Sequence, residues 1–383
     1  MKIYDLLVIG GGFSSVSFLS EFIKNGFEGS IALLEAGRKL GGRCSLKNSR
    51  RSNLWDIHHG SPNFNIKKNT SNTVLNDFIK DLVMNELIVL DDSFHFELDR
   101  DFKMLSVSNN EFYIGDIYRS LVSMSDILAK KIKLIDPLGN IDTFFSTMVI
   151  DLEYINDKWI LHTKGGEVFQ TKFLILSSNL ILHKRSKQIF SVDNIPMEIV
   201  ARKTRSKHIS TLIKEVNKQN YIKRKNYILY TNKSYNFKAL KSLKDIHFTF
   251  QKEAEREIGI ERIVFNKQKN NNISIVLHTK DVDVDKPLRK YSENKEFKDL
   301  VQRFNKIFIN NKYINQLHEY DAISTMIWRA SQPVGKRISN ELQLCKESNI
   351  GFCGDWFDCN GFGRVEGAIV SGLLLAKKLK YHF

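Results

Sequence analysis

Proline is nearly missing from this chain, with 5 among 383 residues, so long proline-rich linkers are excluded. Cysteine is scarcer still. Cys44, Cys345, Cys353 and Cys359 form no Cys-x-x-Cys pair and no zinc-ligand spacing, which points to a reduced compartment. The longest apolar stretches fall well short of a membrane span. The first residues lack the basic region and small-residue cleavage site of a signal peptide. These absences predict a soluble, cytoplasmic protein. No Gly-x-Ser-x-Gly, His-Glu-x-x-His or P-loop pattern occurs either, so none of those chemistries is signalled.

What is present favours a globular protein. Hydrophobic residues make up 42% of the chain, and its length predicts two interleaved domains. The net charge of +15 is unevenly placed: Lys184 to Asp245 holds sixteen Lys or Arg against four Asp or Glu. That segment reads first as a solvated face and second as a site for an anionic substrate or an acidic partner. No nucleic-acid-binding motif accompanies it, although Tyr221, Tyr227, Tyr230, Tyr235 and Phe237 could stack on bases.

The chain opens with an apolar run, "YDLLVIGG", that predicts a buried parallel strand. Val16, Leu19, Phe22 and Ile23 then share one helical face, Asn25-Gly26 ends the helix, and "SIALLEA" is a second strand ending at Glu35. Gly10 permits a tight turn and Gly12 lets backbone approach a pyrophosphate. The helix start at Phe13, Ser14 and Ser15 offers free N–H groups and a partial positive charge. Ser15 stands at the third fingerprint position, where small size preserves helix packing. Glu35 is placed to accept the hydroxyl hydrogens of an adenosine ribose. Strand, helix, strand and terminal acid together make a dinucleotide site the expected reading.

The next residues refine it. With "EAGRKLGGRCS" and "DIHHGSPNFN" the chain resembles the flavin-containing amine oxidase superfamily, particularly its renalase-like branch. The matching residues are Glu35, Ala36, Arg38, Gly41, Gly42 and Arg43, then Gly60 and Ser61 at the turn beside the flavin ring. The resemblance implies FAD, with Arg38 near the adenosine and Arg43 near the pyrophosphate or ribityl chain. An arginine fork suits phosphate oxygens. Ser146 to Asn179 resembles the family's meander, with Val149 as the residue whose backbone meets adenine. "MIWRASQPVG" keeps the outline of a second family motif through Trp328, Arg329, Ala330 and Pro333.

The end of the chain, "GFCGDWFDCNGFGRVEGAIVSGLLLAKKL", resembles the family's terminal Gly-Asp and Glu-Gly-Ala-x-x-Ser-Gly signature. By that likeness Gly354 and Asp355 meet the ribityl and pyrophosphate groups. The helix start at Val365, Gly367 and Ala368 points at the flavin pyrimidine edge, where a positive dipole end favours the reduced anion. The Ser-Gly-Gly-Cys context of covalent flavin attachment is missing, so the resemblance implies non-covalent FAD.

The fold class expected is α/β: a two-domain FAD/NAD(P)-binding, Rossmann-like flavoprotein with a mixed-sheet substrate domain. The FAD-binding domain is discontinuous, over 1–65, 136–183 and 339–383, and 66–135 with 184–338 form the substrate domain. Leu75, Phe78, Ile79 and Leu82 mark one amphipathic helix of that domain. Phe297, Leu300, Val301, Phe304 and Phe308 mark another. His59, Trp328 and Trp356 are the candidates for the substrate-side wall; no metal ligands are predicted. The function implied is an FAD-dependent oxidoreductase that takes a hydride from a small reduced nitrogen compound, an amine or a dihydronicotinamide, with O2 as reoxidant. A carotenoid-type desaturase or isomerase is the alternative within enzymes, and a non-catalytic, flavin-bearing anion-binding protein the alternative outside them. The partner expected is a small-molecule substrate, anionic if the basic segment serves it, and not a membrane or nucleic acid.

Overall fold

A computed structural model describes residues 2–48, 56–67, 72–91, 93–105, 116–120, 123–231, 245–267, 273–280, 295–309 and 322–380. Tyr235, Phe237 and the side chain of Phe297 lie outside the described residues.

The opening strand, Ile3–Ile9, forms where the apolar run predicts it, and Leu6, Leu7 and Val8 are fully buried. It pairs in parallel with Ile31–Leu34 on one side and Val168–Leu176 on the other. Ile141–Phe144 extends the first edge and Ile350–Phe352 the second, both in parallel. Val149–Ile155 and Lys158–Thr163 add an antiparallel meander to the last apolar strand. The 3.6-residue periodicity after Gly12 becomes the helix Phe13–Lys24, and the closing run becomes the helix Val365–Leu379. Small residues let these two helices touch: Ser17 Oγ donates to the Ile369 carbonyl, and a Cβ at Gly372 would strike the Ser14 carbonyl.

A second sheet has seven strands, in the order Ala322–Val334, Asn220–Thr231, Ile273–Lys280, Ile260–Lys267, Ile246–Phe250, Phe94–Leu98 and Met104–Leu105. It is mixed, because Ile246–Phe250 runs parallel to Phe94–Leu98 while its other pairings are antiparallel. The helix Lys295–Ile307 covers one face and packs Leu300 and Phe304, with Phe308 just beyond, against Phe248 and Phe265. On the opposite face, Ile57 packs with Ile228, Tyr230, Val264 and Val276. A residue from the segment after the glycine-rich stretch thereby reaches the second sheet.

Helices outside 1–65, 136–183 and 339–383 also join the core cluster that contains the first sheet. The helix Thr73–Met84 forms as expected, with Leu75, Phe78, Ile79 and Leu82 buried, but it packs into the core of the first sheet. The helices Pro196–Thr204 and Lys207–Val216, from the basic segment, do the same through Met197, Val200, Ile209 and Leu212. Their apolar stripes bury in that core, beside the antiparallel strand Val149–Ile155, while the cations stay outside, as amphipathic helices require.

Candidate functional site

The glycine-rich turn after the opening strand shows why each small residue stands where it does. Gly10 has φ of +102°, and a side chain there would meet Ser177 Oγ at 2.5 Å. At Gly11 the space is filled by Leu40 and Glu35. Gly12 is different: nothing lies within 4 Å of the position its Cβ would take. It is the N-cap of the first helix, and no side chain caps that end. Ser14 and Ser15 are buried, with Ser15 Oγ turned back to the Gly12 carbonyl. Open space therefore sits at the positive end of a helix dipole, the arrangement that takes an anion.

Glu35 closes one side. Its two carboxylate oxygens accept the N–H groups of Gly11 and Gly37, each at 2.6 Å. A carboxylate has about four acceptor positions, so two remain for hydroxyl donors. The loop before Val149 is held here as well, through Thr147 N–H to the Glu35 carbonyl at 3.0 Å and Ser146 N–H to Gly37 at 2.8 Å. Val149 thus begins its strand next to Glu35, while Ala36 and Arg38 are exposed just beyond. Gly41, at φ +128°, donates its N–H to the Gly11 carbonyl, and a Cβ at Gly42 would lie 3.8 Å from Gly12 Cα. The Gly-Gly-Arg run is folded over the first turn. These features fit a dinucleotide on this chain's own geometry.

Arg43 joins the two ends of the chain. Its guanidinium grips Asp355 in a fork, at 2.7 and 2.5 Å, and its Nη1 also donates to the Ser331 carbonyl at 2.9 Å. The Asp355 side chain is 4% exposed and that of Arg43 is 41% exposed. One side chain therefore ties the Gly-Gly-Arg run, the Gly354-Asp355 strand end and the second sheet. The Asp355 carboxylate is engaged by Arg43 on both oxygens.

Behind this contact, Gly60 lies so close to Arg43 that a Cβ would strike the Arg43 carbonyl, and Ser61 N–H donates to the same oxygen at 3.2 Å. His59 and Trp328 stack at 5.4 Å between ring centroids, and the Trp328 indole N–H donates to the His59 carbonyl at 3.3 Å. Asn226 donates to that carbonyl too, at 2.6 Å. The structure thus brings two of the three proposed wall residues together. Trp356 sits elsewhere: it is 2% exposed, belongs to the first core, and lies tilted against Phe357 with ring centroids 4.1 Å apart and its indole beneath Gly354. It is packed against Gly354, apart from the His59–Trp328 pair.

The closing helix starts at Val365 after Arg364, with no side-chain cap. Gly367 is buried, and the space at its Cβ is taken by the Gly361 carbonyl. Its smallness is thus required by the chain's own loop, which the sequence reading had ascribed to a ligand. Ala368 is half-buried. Glu366, left without a role in the sequence reading, is buried, and burial pushes its carboxyl above the ordinary range. Two polar residues were missed altogether, Asn226 and Arg262; only their place within apolar strand runs marked them out.

No helix among the described residues is long and apolar enough to cross a membrane. No family profile matches the chain, and no curated protein matches it in sequence. Solved structures do. A protein provisionally named a protoporphyrinogen oxidase, from Exiguobacterium sp. 255-15, is 12% identical over 100% of both chains, with a TM-score of 0.62. A fatty acid isomerase from P. acnes that produces CLA is 9% identical over 98% of both, at 0.61. Putrescine oxidase, bound to putrescine, is 10% identical over 99% of both, at 0.60. At these identities the likeness shows a shared fold. It is the two-sheet α/β fold expected from the motifs.

Proposed function

We propose that the chain is an FAD-dependent oxidoreductase of the flavin amine oxidase type, acting on a small reduced nitrogen compound. The observation that carries this reading is the open space at Gly12. It lies at an uncapped helix start, with Glu35 on one side and the Gly-Gly-Arg run folded over it. Gly10, Gly12, Phe13, Ser14 and Ser15 would hold the pyrophosphate, Glu35 the ribose, and Arg43 with Asp355 the link toward the flavin. Bound there, FAD would accept a hydride from a carbon next to nitrogen, as that C–H bond breaks, C=N forms and nitrogen gives up a proton.

The chain's own residues would orient and enclose the substrate. His59 and Trp328 offer a flat wall, and Asn226 fixes that wall through the His59 carbonyl. Non-covalent attachment is supported by the thiols: burial pushes those of Cys44, Cys353 and Cys359 up to about 12, where little nucleophilic thiolate exists. The basic segment remains open to an anionic substrate through Arg202 and Lys214, which line a cavity of about 450 Å³ with Asn194 and Asn217.

The test is anaerobic mixing of purified, FAD-loaded protein with a panel of amines and dihydronicotinamides. Bleaching of the flavin band by one class is the result expected. A desaturase or isomerase would leave the band intact with both classes, and a non-catalytic binder would show no product with any.

A further inference from the structure

The second sheet carries polar side chains on a face that is otherwise closed. In register, Asn226 stands opposite His278, and His278 opposite Arg262. Alternation along the strands puts them on the face of Ile228, Val276 and Val264, to which Ile57 packs, away from the Lys295–Ile307 helix. Asn226 is 1% exposed and His278 is 7% exposed. Asn226 Oδ1, His278 Nε2 and Arg262 Nε are each buried and each lack a hydrogen-bond partner. An unmet buried polar atom is costly; of the fourteen such side-chain atoms among the described residues, these three fall together on adjacent strands. Three on adjacent strands make a patch that a ligand would complete.

The patch dictates the ligand's chemistry. Asn226 gives its Nδ2–H to the His59 carbonyl, so its Oδ1 faces the patch as an acceptor and needs a donor. Arg262 spends Nη2 on Asn63 Oδ1 at 2.9 Å, with His247 Nδ1 at 3.4 Å, and no carboxylate pairs with it among the described residues. Asp91, in the same network, is engaged by Asn63 Nδ2 at 2.6 Å and by His95 at 3.3 Å. Burial pushes the His278 imidazole down to about 3 and holds that of His247 well below its ordinary value, with the charge of Arg262 adding in both cases. Both imidazoles are therefore neutral, and the guanidinium is the charge of the patch. A ligand that fits donates hydrogen at Asn226, beside the His59–Trp328 wall, and accepts it at Arg262. Two inter-strand spacings put the two ends about 9–10 Å apart at the backbone.

We propose that the substrate is an amino-carboxylate: its nitrogen lies against Asn226 at the His59–Trp328 wall, and its carboxylate, separated from the nitrogen by several bonds, is held by Arg262 with His278 between. This rests on the flavin reading for the oxidation, and names the substrate class for that site. It moves the anion-recognising residue out of the basic segment and onto the second sheet.

Calorimetric titration of FAD-loaded protein tests it with two probes that lack an amine, pentanoate and its neutral isostere pentanamide. The wild type is expected to bind pentanoate at least tenfold more tightly, and Arg262→Gln to weaken pentanoate about ten- to a hundredfold, the range of a charge-assisted hydrogen bond, bringing the two probes level. In anaerobic mixing, 5-aminopentanoate should then bleach the flavin at lower concentration than pentylamine, and Arg262→Gln should remove that advantage. Equal affinities for pentanoate and pentanamide in the wild type, or a preference that survives in Arg262→Gln, overturns the proposal. If Arg262→Gln does not fold, Arg262→Lys, which keeps the cation, decides with the wild type: it should retain a reduced preference for pentanoate, and an undiminished one counts against the Nε contact. Protein that cannot be loaded with FAD sinks the flavin reading and with it the substrate assignment. Pentanoate preference in such protein leaves the Arg262 anion site standing.

Discussion

The fork between Arg43 and Asp355 yields an asymmetry that stability measurements on the FAD-free protein can read. Arg43→Ala leaves the Asp355 carboxylate, 4% exposed, without its cation. Stranding a buried charge in this way costs about 3–5 kcal/mol. Asp355→Ala leaves a guanidinium that is 41% exposed and still bonded to the Ser331 carbonyl. Water can solvate it, so the cost falls to about 1–2 kcal/mol after discounting for exposure. The double variant removes the stranded charge, and should cost less than the sum of the singles by about 1–3 kcal/mol. Urea unfolding of the four proteins, with equal slopes required for comparison, gives all three numbers. If Asp355→Ala proves the more damaging single, or if the costs are additive, the pair does not join the ends of the chain in the way described.

Three further outcomes are expected. Gly372→Ala places a methyl group against the Ser14 carbonyl and should destabilise the helix–helix contact by about 1–3 kcal/mol, visible as a lower melting temperature. Acid should weaken the fold through His278: its folded pKa of about 3 lies below the ordinary 6.5, so the unfolded state binds the extra proton. Stability present above pH 6.5 is then lost as pH falls toward 3, by about 1.4 kcal/mol per unit, and His278→Gln should flatten the slope of urea midpoint against pH. Glu366 has the opposite sign, because burial raises its pKa. Its ionisation opposes folding as pH rises past the ordinary value, so Glu366→Gln should gain stability at neutral pH relative to pH 4.

Much of the first sheet was legible because its signals are local. A buried parallel strand such as Ile3–Ile9 is a continuous apolar run, and the turn that follows it needs glycine for steric reasons that hold in any fold. The amphipathic helix with Leu75, Phe78, Ile79 and Leu82 was readable from its period, but the period does not say which core receives the stripe. That helix and those of the basic segment join the cluster that contains the first sheet, a partner their period does not name. Gly367 and Trp356 are ambiguous in sequence for a related reason. A glycine needed by a ligand and one needed by a neighbouring loop look alike in sequence, and only the Gly361 carbonyl distinguishes them. A tryptophan near a motif carries no mark of facing inward. Asn226, His278 and Arg262 sit on three strands whose register no local pattern reveals, so the patch they form was invisible until those strands were paired.

The account's central claim is that the open space at Gly12 holds FAD, and Gly12→Val tests it most directly. The space beside Gly12 is open for 4 Å and its φ of −93° is accessible to any residue, so the change should cost the FAD-free protein only about 0.5–2 kcal/mol, as for a weakened helix cap. The purified wild type should be yellow and release intact FAD into the supernatant on acid precipitation. Gly12→Val should fold, melt within several degrees of the FAD-free wild type, and carry no flavin after reconstitution. A Gly12→Val protein that loads FAD as fully as the wild type would contradict the account.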